Sequence, residues 1–263
     1  VEKIDSDDFL LLSATSEIEG KQNLGHRSVY TAMLSLKVGK GLGYSEEKLS
    51  ELGVTALLHL VGVGKLLKGL GRYTEGEVGE ELWEMQNYPS VGAELLRTSV
   101  EKYGREEYSW LPEVVSQLEE REDGQGSPQG LTRDQIHEYT KILAVAKRYL
   151  DFAHPFSAAE RVIPCEALKK IIQMQKEVLS PKIVSVFVKE IGIFPVGSWV
   201  QLSTGETGMV LSNHRSHPLR PTVEVLYGPQ GVPLPSKKKL NLVEGVFVFI
   251  SKPIDEREIE KKE

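Results

Sequence analysis

The sequence predicts a multi-domain protein in which an all-α domain, residues 1–194, is followed by a small all-β, barrel-like domain, residues 195–263. The change in hydrophobic period predicts this order. Apolar residues recur at helical spacing from residue 8 to about residue 193, and after GIFPVG they alternate or run together as in strands. The length of 263 residues also favours one large core with a smaller module.

The helices of the first domain follow from local start and stop signals. The apolar stripe of SVYTAMLSLKVGKGLG is predicted to end at Gly41 and Gly43, because glycine commonly follows a helix C-terminus. Ser45 then fits an N-cap, with two glutamates in the first turn behind it. Further helices are predicted in EVGEELWEMQ, SVGAELLRTSVEKY, LPEVVSQLEE, TRDQIHEYTKILAVAKRYLDF, IPCEALKKIIQMQK and PKIVSVFVKEI. The segment REDGQGSPQGL, rich in Gly, Pro and Asp, predicts a loop.

The strands of the second domain are marked by alternation and by one tight turn. SWVQLSTGETGMVLSN predicts two strands joined at Thr204, Gly205 and Glu206, and PTVEVLYG and GVFVFI predict two more. A sheet this small is expected to close or cover its edges, so we predict a barrel or curled sheet. The charged tail DEREIEKKE is expected to fray.

Composition narrows the classes of function. The net charge of -6 argues against nonspecific nucleic-acid binding by the whole chain, and the apolar runs are shorter than a bilayer span. The single Cys165 excludes an internal disulfide and a multi-cysteine zinc site, and its helical context predicts a buried thiol. No signal peptide precedes the first predicted helix, so we expect a cytoplasmic protein without a membrane segment.

The stretch TALLHLVGVGKLL places His59 at the end of an apolar run before several glycines. A phosphate-binding Walker loop is excluded, because Leu66 stands where that motif needs Ser or Thr. We favour the interpretation that His59 is retained for packing and hydrogen bonding, and metal ligation is the alternative. Gly62 and Gly64 are expected to let the helix end.

Five segments in order resemble the motifs of an HD-GYP domain: GHRSVYTAMLSLKVGKGLGYSEEKLSELGVTALLHLVGVGKL, YPSVGAELL, LEEREDGQGSPQGL, ILAVAKRYLDF and HPFS. The resemblance covers roughly residues 8–193. It implies an α-helical HD-type phosphohydrolase, a family that hydrolyses cyclic di-GMP with two or three metal ions, usually iron or manganese. The segment IFPVGSWVQLSTGETGMVL also resembles one that follows the core in some family members.

The resemblance assigns metal ligands to particular positions, and only two of them are kept. His26 and His59 match family histidines, whereas Leu60 stands in place of the aspartate that would bridge two metals. Tyr88 replaces a third histidine. Catalytic metals take three or more protein ligands each or share bridging ones, so two histidines are too few for a two-metal site.

The remaining ligand positions carry other chemistry. Leu118 and Glu119 stand where the family has two adjacent histidines, and Lys147 stands in place of an aspartate. His154 aligns with the arginine that holds a phosphate in the family. We predict that Lys147 pairs with Glu119 or Glu120 and takes the place of the metal cluster.

The GYP-like loop keeps the backbone residues of the family loop but loses its tyrosine. Ser127 stands at the tyrosine position. The retained residues are Asp123, Gly124, Gly126, Pro128, Gly130 and Leu131. In the family this loop is implicated in pairing with GGDEF domains, which synthesise cyclic di-GMP. A contact surface and a plain connector are both open interpretations of the loop.

We therefore expect a noncatalytic regulatory or interaction module of bacterial cyclic di-GMP signalling, with no metal cofactor. Its expected partner is another signalling protein, with a GGDEF-domain protein as one candidate. One alternative is a residual phosphodiesterase that acts on cyclic di-GMP or another nucleotide and uses iron or manganese at His26, His59 and Glu119. The other is a receptor that binds cyclic di-GMP without hydrolysis. The basic run PSKKKL is interpreted as a solvated loop, so nucleic acid is not an expected partner.

Overall fold

The computed structural model describes residues 24–69, 87–155, 161–175, 177–245 and 247–260. Within these residues the chain forms two compact units. Of the described residues, the first unit contains 24–69, 87–155, 161, 170–175 and 177–187, and the second contains 162–169, 188–245 and 247–260. The predicted domain limits, 1–194 and 195–263, stay a prediction. The predicted helix around Trp83 lies outside the described residues.

The helices confirm the all-α character of the larger region. They are α1 (Leu24–Gly41), α2 (Glu46–Leu58), α3 (Val61–Gly69), α4 (Tyr88–Tyr103), α5 (Leu111–Ser116), α6 (Glu138–Ala153), α7 (Pro164–Met174), α8 (Pro181–Ile191) and the short α9 (Arg257–Glu260). Single turns of 3-10 helix occupy Glu106–Tyr108 and Arg133–Gln135. The predicted signals between α1 and α2 are confirmed, since Gly43 has φ 78° and Ser45 Oγ accepts from the Lys48 amide at 3.4 Å.

Helix α6 supplies much of the core of the first unit. Ten of its 16 residues are buried, including Ile142, Leu143, Val145 and Ala146 at 0% exposure. Helix α6 packs on α1. Lys147 lies on the same buried side, so the fold carries its ammonium group into the interior.

The prediction for the glycines after His59 was wrong. Helix α2 ends at Leu58, before them, and both Gly62 and Gly64 lie inside α3. Gly62 permits a close approach to α4, because a Cβ atom there would lie 2.0 Å from the Tyr88 carbonyl oxygen. A glycine can thus serve packing between two helices rather than a helix end.

The segment Glu46–Lys68 is, among the described residues, the one stretch long and apolar enough to cross a membrane by length and composition. In the structure this segment is divided between α2 and α3, with a turn at His59 and Leu60. Both of these residues are buried, and α2 packs on α1. The segment therefore contributes to the core of the helical unit.

The second unit holds a five-stranded antiparallel sheet. Its strands are β1 (Trp199–Leu202), β2 (Thr207–Ser212), β3 (Thr222–Tyr227), β4 (Pro233–Asn241) and β5 (Ile250–Ile254), in the order β4-β3-β2-β1-β5. Each neighbouring pair is antiparallel. The β1–β2 turn lies where it was predicted. The small all-β domain is confirmed, but its described strands form an open sheet with β4 and β5 at the edges rather than a closed barrel.

Two strand predictions were wrong in detail. PSKKKL lies within edge strand β4 and not in a loop, and the last strand begins at Ile250, the final residue of GVFVFI. Lysines and prolines on β4 are typical of an edge strand that is protected from pairing with another chain. Alternation alone missed β4, because its residues are mostly exposed rather than alternately buried.

The core of the sheet is small and apolar. It consists of Val200, Leu202, Val210, Val223, Val225 and Leu242, each no more than 1% exposed. Cys165 belongs to the same unit and is buried, as predicted. Burial raises the pKa of its thiol to about 11, so the group is a neutral packing residue at pH 7.

Candidate functional site

The predicted ion pair of Lys147 is present. Lys147 Nζ lies 3.0 Å from Glu119 Oε1 and 3.7 Å from Asp151 Oδ2. The Lys147 side chain is 5% exposed, so its charge is compensated inside the protein rather than by water. Of the two predicted partners Glu119 is therefore the one used, and Glu120 has a different role described below.

Glu119 is surrounded by donors. Tyr88, which is fully buried, donates from its hydroxyl to Glu119 Oε1 at 2.7 Å, and Arg148 Nη2 lies 3.3 Å from Oε2. Burial by itself would raise the pKa of Glu119, but Lys147 and Arg148 hold that pKa below its usual value. The carboxylate is consequently ionised at pH 7.

A second carboxylate completes the group. Asp151 pairs with Arg27 of α1, and Arg148 Nη1 lies 3.7 Å from Asp151 Oδ2. Burial opposes ionisation of Asp151, yet Lys147, Arg27 and Arg148 together lower its pKa. We call Arg27, Glu119, Lys147, Arg148 and Asp151 the charge cluster. It joins three cations to two carboxylates.

His59 lies beside the charge cluster and is 0% exposed. Its Nδ1 is 2.6 Å from the Ala56 carbonyl oxygen, which fixes the ring hydrogen on Nδ1. Among the described residues, Nε2 has no hydrogen-bond partner. Burial lowers the pKa of His59 to about 4, and the charges of Lys147 and Arg27 act in the same direction. The ring is therefore neutral at pH 7.

The other two histidines of the predicted site have different surroundings. His26 is exposed on α1, while the next residue, Arg27, is the one that enters the cluster. His154 is buried and stacks on Tyr30 with 6.3 Å between ring centroids. Burial lowers the pKa of His154 to about 3, so it carries no charge at pH 7. Positive charge nearby comes instead from Arg161 and Arg27, and Arg27 Nη1 donates to the His154 carbonyl oxygen at 2.9 Å.

The donor set does not fit the metal ions that the family resemblance implies. Leu60 and Leu118 are buried apolar side chains, and the position of the family aspartate holds the Lys147 ammonium group. A cation placed there would be repelled by Lys147 and Arg27. Within the described residues, no three His, Cys, Asp or Glu side chains are grouped so that they could hold a metal ion. The geometry thus gives no support to a three-ligand set of His26, His59 and Glu119.

The GYP-like loop is fixed mainly through its backbone. Glu120 is 5% exposed, and its two carboxylate oxygens accept from the amides of Gln129 at 2.7 Å and Leu131 at 2.8 Å. Gly124 and Gly130 have φ of 76° and 66°, values that favour glycine. The retained glycines therefore serve the loop's conformation.

Three further contacts close the loop. The Ser127 amide donates to the Glu119 carbonyl oxygen at 3.1 Å, and the Ser127–Pro128 peptide bond is cis. Asp123 Oδ1 accepts from the Gln125 amide at 3.0 Å and also pairs with Arg121. Helix α5 ends at Ser116, so the predicted helix through Glu120 was wrong there, and Glu119 and Glu120 lie in irregular backbone.

Sequence reasoning missed four residues that hold this region together. They are Arg27, Glu120 as a loop acceptor, Arg148 and Asp151. The spacing of Lys147 and Asp151 by four residues on one helix is an available signal for an ion pair. Arg27 carries no comparable signal, because its partner is 124 residues away in the sequence.

The basic residues of the second unit make intramolecular contacts. Arg215 Nη2 lies 2.5 Å from Glu190 Oε2, Arg220 Nη1 donates to the Leu242 carbonyl oxygen at 2.9 Å, and Lys237 Nζ lies 3.4 Å from Glu224 Oε2. Lys237, Lys238 and Lys239 remain exposed along β4. Arg215, Arg220 and Lys237 thus have partners within the unit.

Residues 12–183 match the model of the HD domain family, which is more than half of the chain. The chain belongs to the HD domain family. The resemblance drawn from the motifs is thereby confirmed at the level of the family. Residues 199–262 match the family described as a KOW domain associated with HD domain, so the β-unit also has a known counterpart.

Two curated proteins are similar to this HD domain protein. Cyclic di-GMP phosphodiesterase PA4108 of Pseudomonas aeruginosa is 28% identical over 217 residues, which cover 80% of this chain and 50% of that protein. Cyclic di-GMP phosphodiesterase PdeB of Borreliella burgdorferi is 22% identical over 240 residues, which cover 89% of this chain and 60% of that protein. The chain thus spans about half to three fifths of the length of these relatives.

Two solved structures also align with the HD domain protein. One is a cyclic GMP-AMP specific phosphodiesterase of V. cholerae, V-cGAP3, at 19% identity and a TM-score of 0.44, with 68% of this chain and 47% of that chain covered. The other is Bd1817, an HDGYP protein from Bdellovibrio bacteriovorus, at 19% identity and a TM-score of 0.49, with 69% and 58% covered.

Proposed function

We propose that this HD domain protein is a noncatalytic regulatory module of cyclic di-GMP signalling, in which the charge cluster takes the place of a metal centre. The observation that carries the proposal is the buried Lys147 ammonium group, 3.0 Å from Glu119 Oε1. The link to cyclic di-GMP rests on the two relatives named as cyclic di-GMP phosphodiesterases. The cytoplasm is the proposed setting.

The chemistry of the cluster supports a structural rather than a hydrolytic role. Hydrolysis of a phosphodiester by a metal centre needs ligands that hold the metal and acidify a bound water. Here both carboxylates of the cluster are already neutralised by neighbouring cations. A buried carboxylate that is satisfied by Lys, Arg and Tyr donors has little left to offer a metal ion.

The GYP-like loop is the proposed contact surface for a partner, with a GGDEF-domain protein as the candidate. Gln125, Pro128, Gln129 and Gly130 are exposed on it. The loop is held from within by Glu120, so its outward residues are presented in one conformation. A rigid surface loses less conformational entropy when a partner binds.

One observation favours a residual metal-dependent phosphodiesterase. The neutral His59 ring keeps an Nε2 lone pair that finds no partner among the described residues. A neutral imidazole nitrogen is a common metal ligand. This alternative requires Lys147 to leave its partners, since the charge of the ammonium group acts on His59 and would repel a metal ion bound there.

A combined assay separates the three candidate functions. Hydrolysis of cyclic di-GMP is measured with added Mn²⁺ or Fe²⁺, beside calorimetric titration with cyclic di-GMP. The regulatory module predicts neither turnover nor heat of binding. Turnover that is lost in His59→Ala would identify an enzyme, and binding without turnover would identify a receptor.

A further inference from the structure

We propose that Glu119 and Glu120 form a link that couples the charge cluster to the conformation of the GYP-like loop. This inference rests on the proposed function, because it treats the charge cluster as a permanent part of the protein. It adds a regulatory consequence. A change in the ion pairs of the charge cluster alters the conformation of the loop, and a partner that binds the loop alters the stability of the cluster.

The two adjacent glutamates point to two different structures. The Glu119 side chain belongs to the charge cluster through Lys147 Nζ at 3.0 Å and Arg148 Nη2 at 3.3 Å. The Glu120 side chain binds the amides of Gln129 and Leu131 in the loop. Because consecutive residues share one peptide unit, a displacement of Glu119 moves the backbone that carries Glu120.

The backbone of the same two residues also contacts the loop directly. The Glu119 carbonyl oxygen accepts from the Ser127 amide at 3.1 Å. Gly126 packs so closely that a Cβ atom there would lie 2.4 Å from the Glu120 Cα atom. The loop therefore rests on the Glu119–Glu120 backbone and has little room to absorb a shift of it.

Part of the charge cluster is accessible to solvent. The Arg148 side chain is 36% exposed and Asp151 23%, whereas Lys147 is only 5% exposed. A ligand or partner that binds the exposed Arg148 and separates it from Glu119 therefore perturbs the buried Lys147–Glu119 ion pair. By thermodynamic linkage, an effect of the cluster on the loop implies an equal effect of the loop on the cluster.

Amide hydrogen exchange at Ser127, Gln129 and Leu131 tests the link in the full chain. Lys147→Met removes the charge that holds Glu119, and we expect exchange at these three amides to become at least about tenfold faster. Exchange at Leu96 in α4 is the internal reference. The matched control is Lys182→Met, which removes a lysine paired with Glu138 at the surface and should leave the loop amides within about twofold of wild type.

A second variant keeps the test decisive if Lys147→Met does not fold. Glu119→Gln keeps the side-chain volume but weakens its pairing with Lys147 and Arg148, and the loop amides should again exchange several-fold faster. Loop exchange within about twofold of wild type in a folded cluster variant would overturn the link. That result is distinct from failure of the proposed function, which is decided by turnover, ligand binding and metal content.

Discussion

The charge cluster and the GYP-like loop are neighbours in the chain, but they are stabilised by different kinds of interaction. Side chains hold the cluster, through ion pairs such as Lys147 with Glu119 and Arg27 with Asp151. Backbone groups hold the loop, through glycines with positive φ and amides bound by Glu120. Buried side chains can be replaced by others if their charges stay balanced. A tightly turning backbone, in contrast, depends on glycines at particular positions.

The difference explains which features of the family the chain retains. The loop keeps its glycines and proline, because a side chain at Gly126 would meet the backbone of Arg121 and Glu120 at 2.4 Å. Three ligand positions of the resemblance hold groups that bind one another, since the Glu119 carboxylate contacts the Lys147 ammonium group and the Tyr88 hydroxyl. In the proposed function the fold needs no metal centre, because the buried carboxylates have cationic partners.

Acid should produce the largest loss of stability, because two buried neutral histidines near the charge cluster resist protonation. His59 and His154 have folded-state pKa values of about 4 and about 3, below the ordinary 6.5. The unfolded chain therefore takes up protons first, so stability is full above about pH 6.5 and falls toward pH 4. Each histidine contributes about 1.4 kcal/mol per pH unit in that window, which is about 3 kcal/mol for each and about 7 kcal/mol for the two together.

Urea unfolding of wild type and His59→Gln between pH 7 and pH 4.5 measures this effect. As the pH falls, the unfolding free energy of the variant should decrease less steeply than that of wild type. The difference in slope should correspond to the uptake of about one proton on unfolding. Equal slopes in the two proteins would mean that His59 is not a buried neutral ring.

Removal of Lys147 tests the cluster itself. Lys147→Met leaves Glu119 and Asp151 with fewer cationic partners in a buried setting, and we expect a loss of about 3 kcal/mol in unfolding free energy. Lys182→Met, at an exposed pair with Glu138, should cost less than about 1 kcal/mol. Chemical denaturation at pH 7 gives both values. Similar losses for the two variants would show that the cluster is no more than a surface ion pair.

A methyl group on the loop glycine tests the backbone side of the comparison. Gly126→Ala forces a Cβ atom against the Glu120 backbone, and the expected cost is about 2 kcal/mol. Gly64→Ala is the control, because that glycine lies in α3 with no heavy atom within 4 Å of the added Cβ. The control should gain up to about 1 kcal/mol from helix propensity. A tolerated Gly126→Ala would indicate a loop that is not held against Glu120.

The smallest expected effect comes from the Tyr88 hydroxyl. Tyr88→Phe removes one hydrogen bond to the Glu119 carboxylate and keeps the ring in the core, so about 1.5 kcal/mol should be lost. The loss should shrink when Glu119→Gln is already present, because the charged acceptor is gone. A double-mutant cycle measures this coupling, and strict additivity would contradict a direct bond.

The sequence was sufficient for the order of a helical region followed by a small β-region, and for an ion pair of Lys147 with one of two adjacent glutamates. Hydrophobic period located α6 and β3, and opposite charges at two ligand positions indicated the pair. It was insufficient for Arg27, whose partner Asp151 is brought near only by the packing of α1 on α6. It was also misleading at Gly62, because the close approach of α4 is a tertiary contact that no local pattern records.

Metal content of the protein purified without chelators is the most direct test of the central claim. The charge cluster predicts iron, manganese and zinc far below one ion per chain by elemental analysis, in wild type and in Lys147→Met alike. Close to one or more ions per chain in wild type, reduced in His59→Ala, would contradict the account, because a metal centre would then occupy the place assigned to Lys147 and its partners.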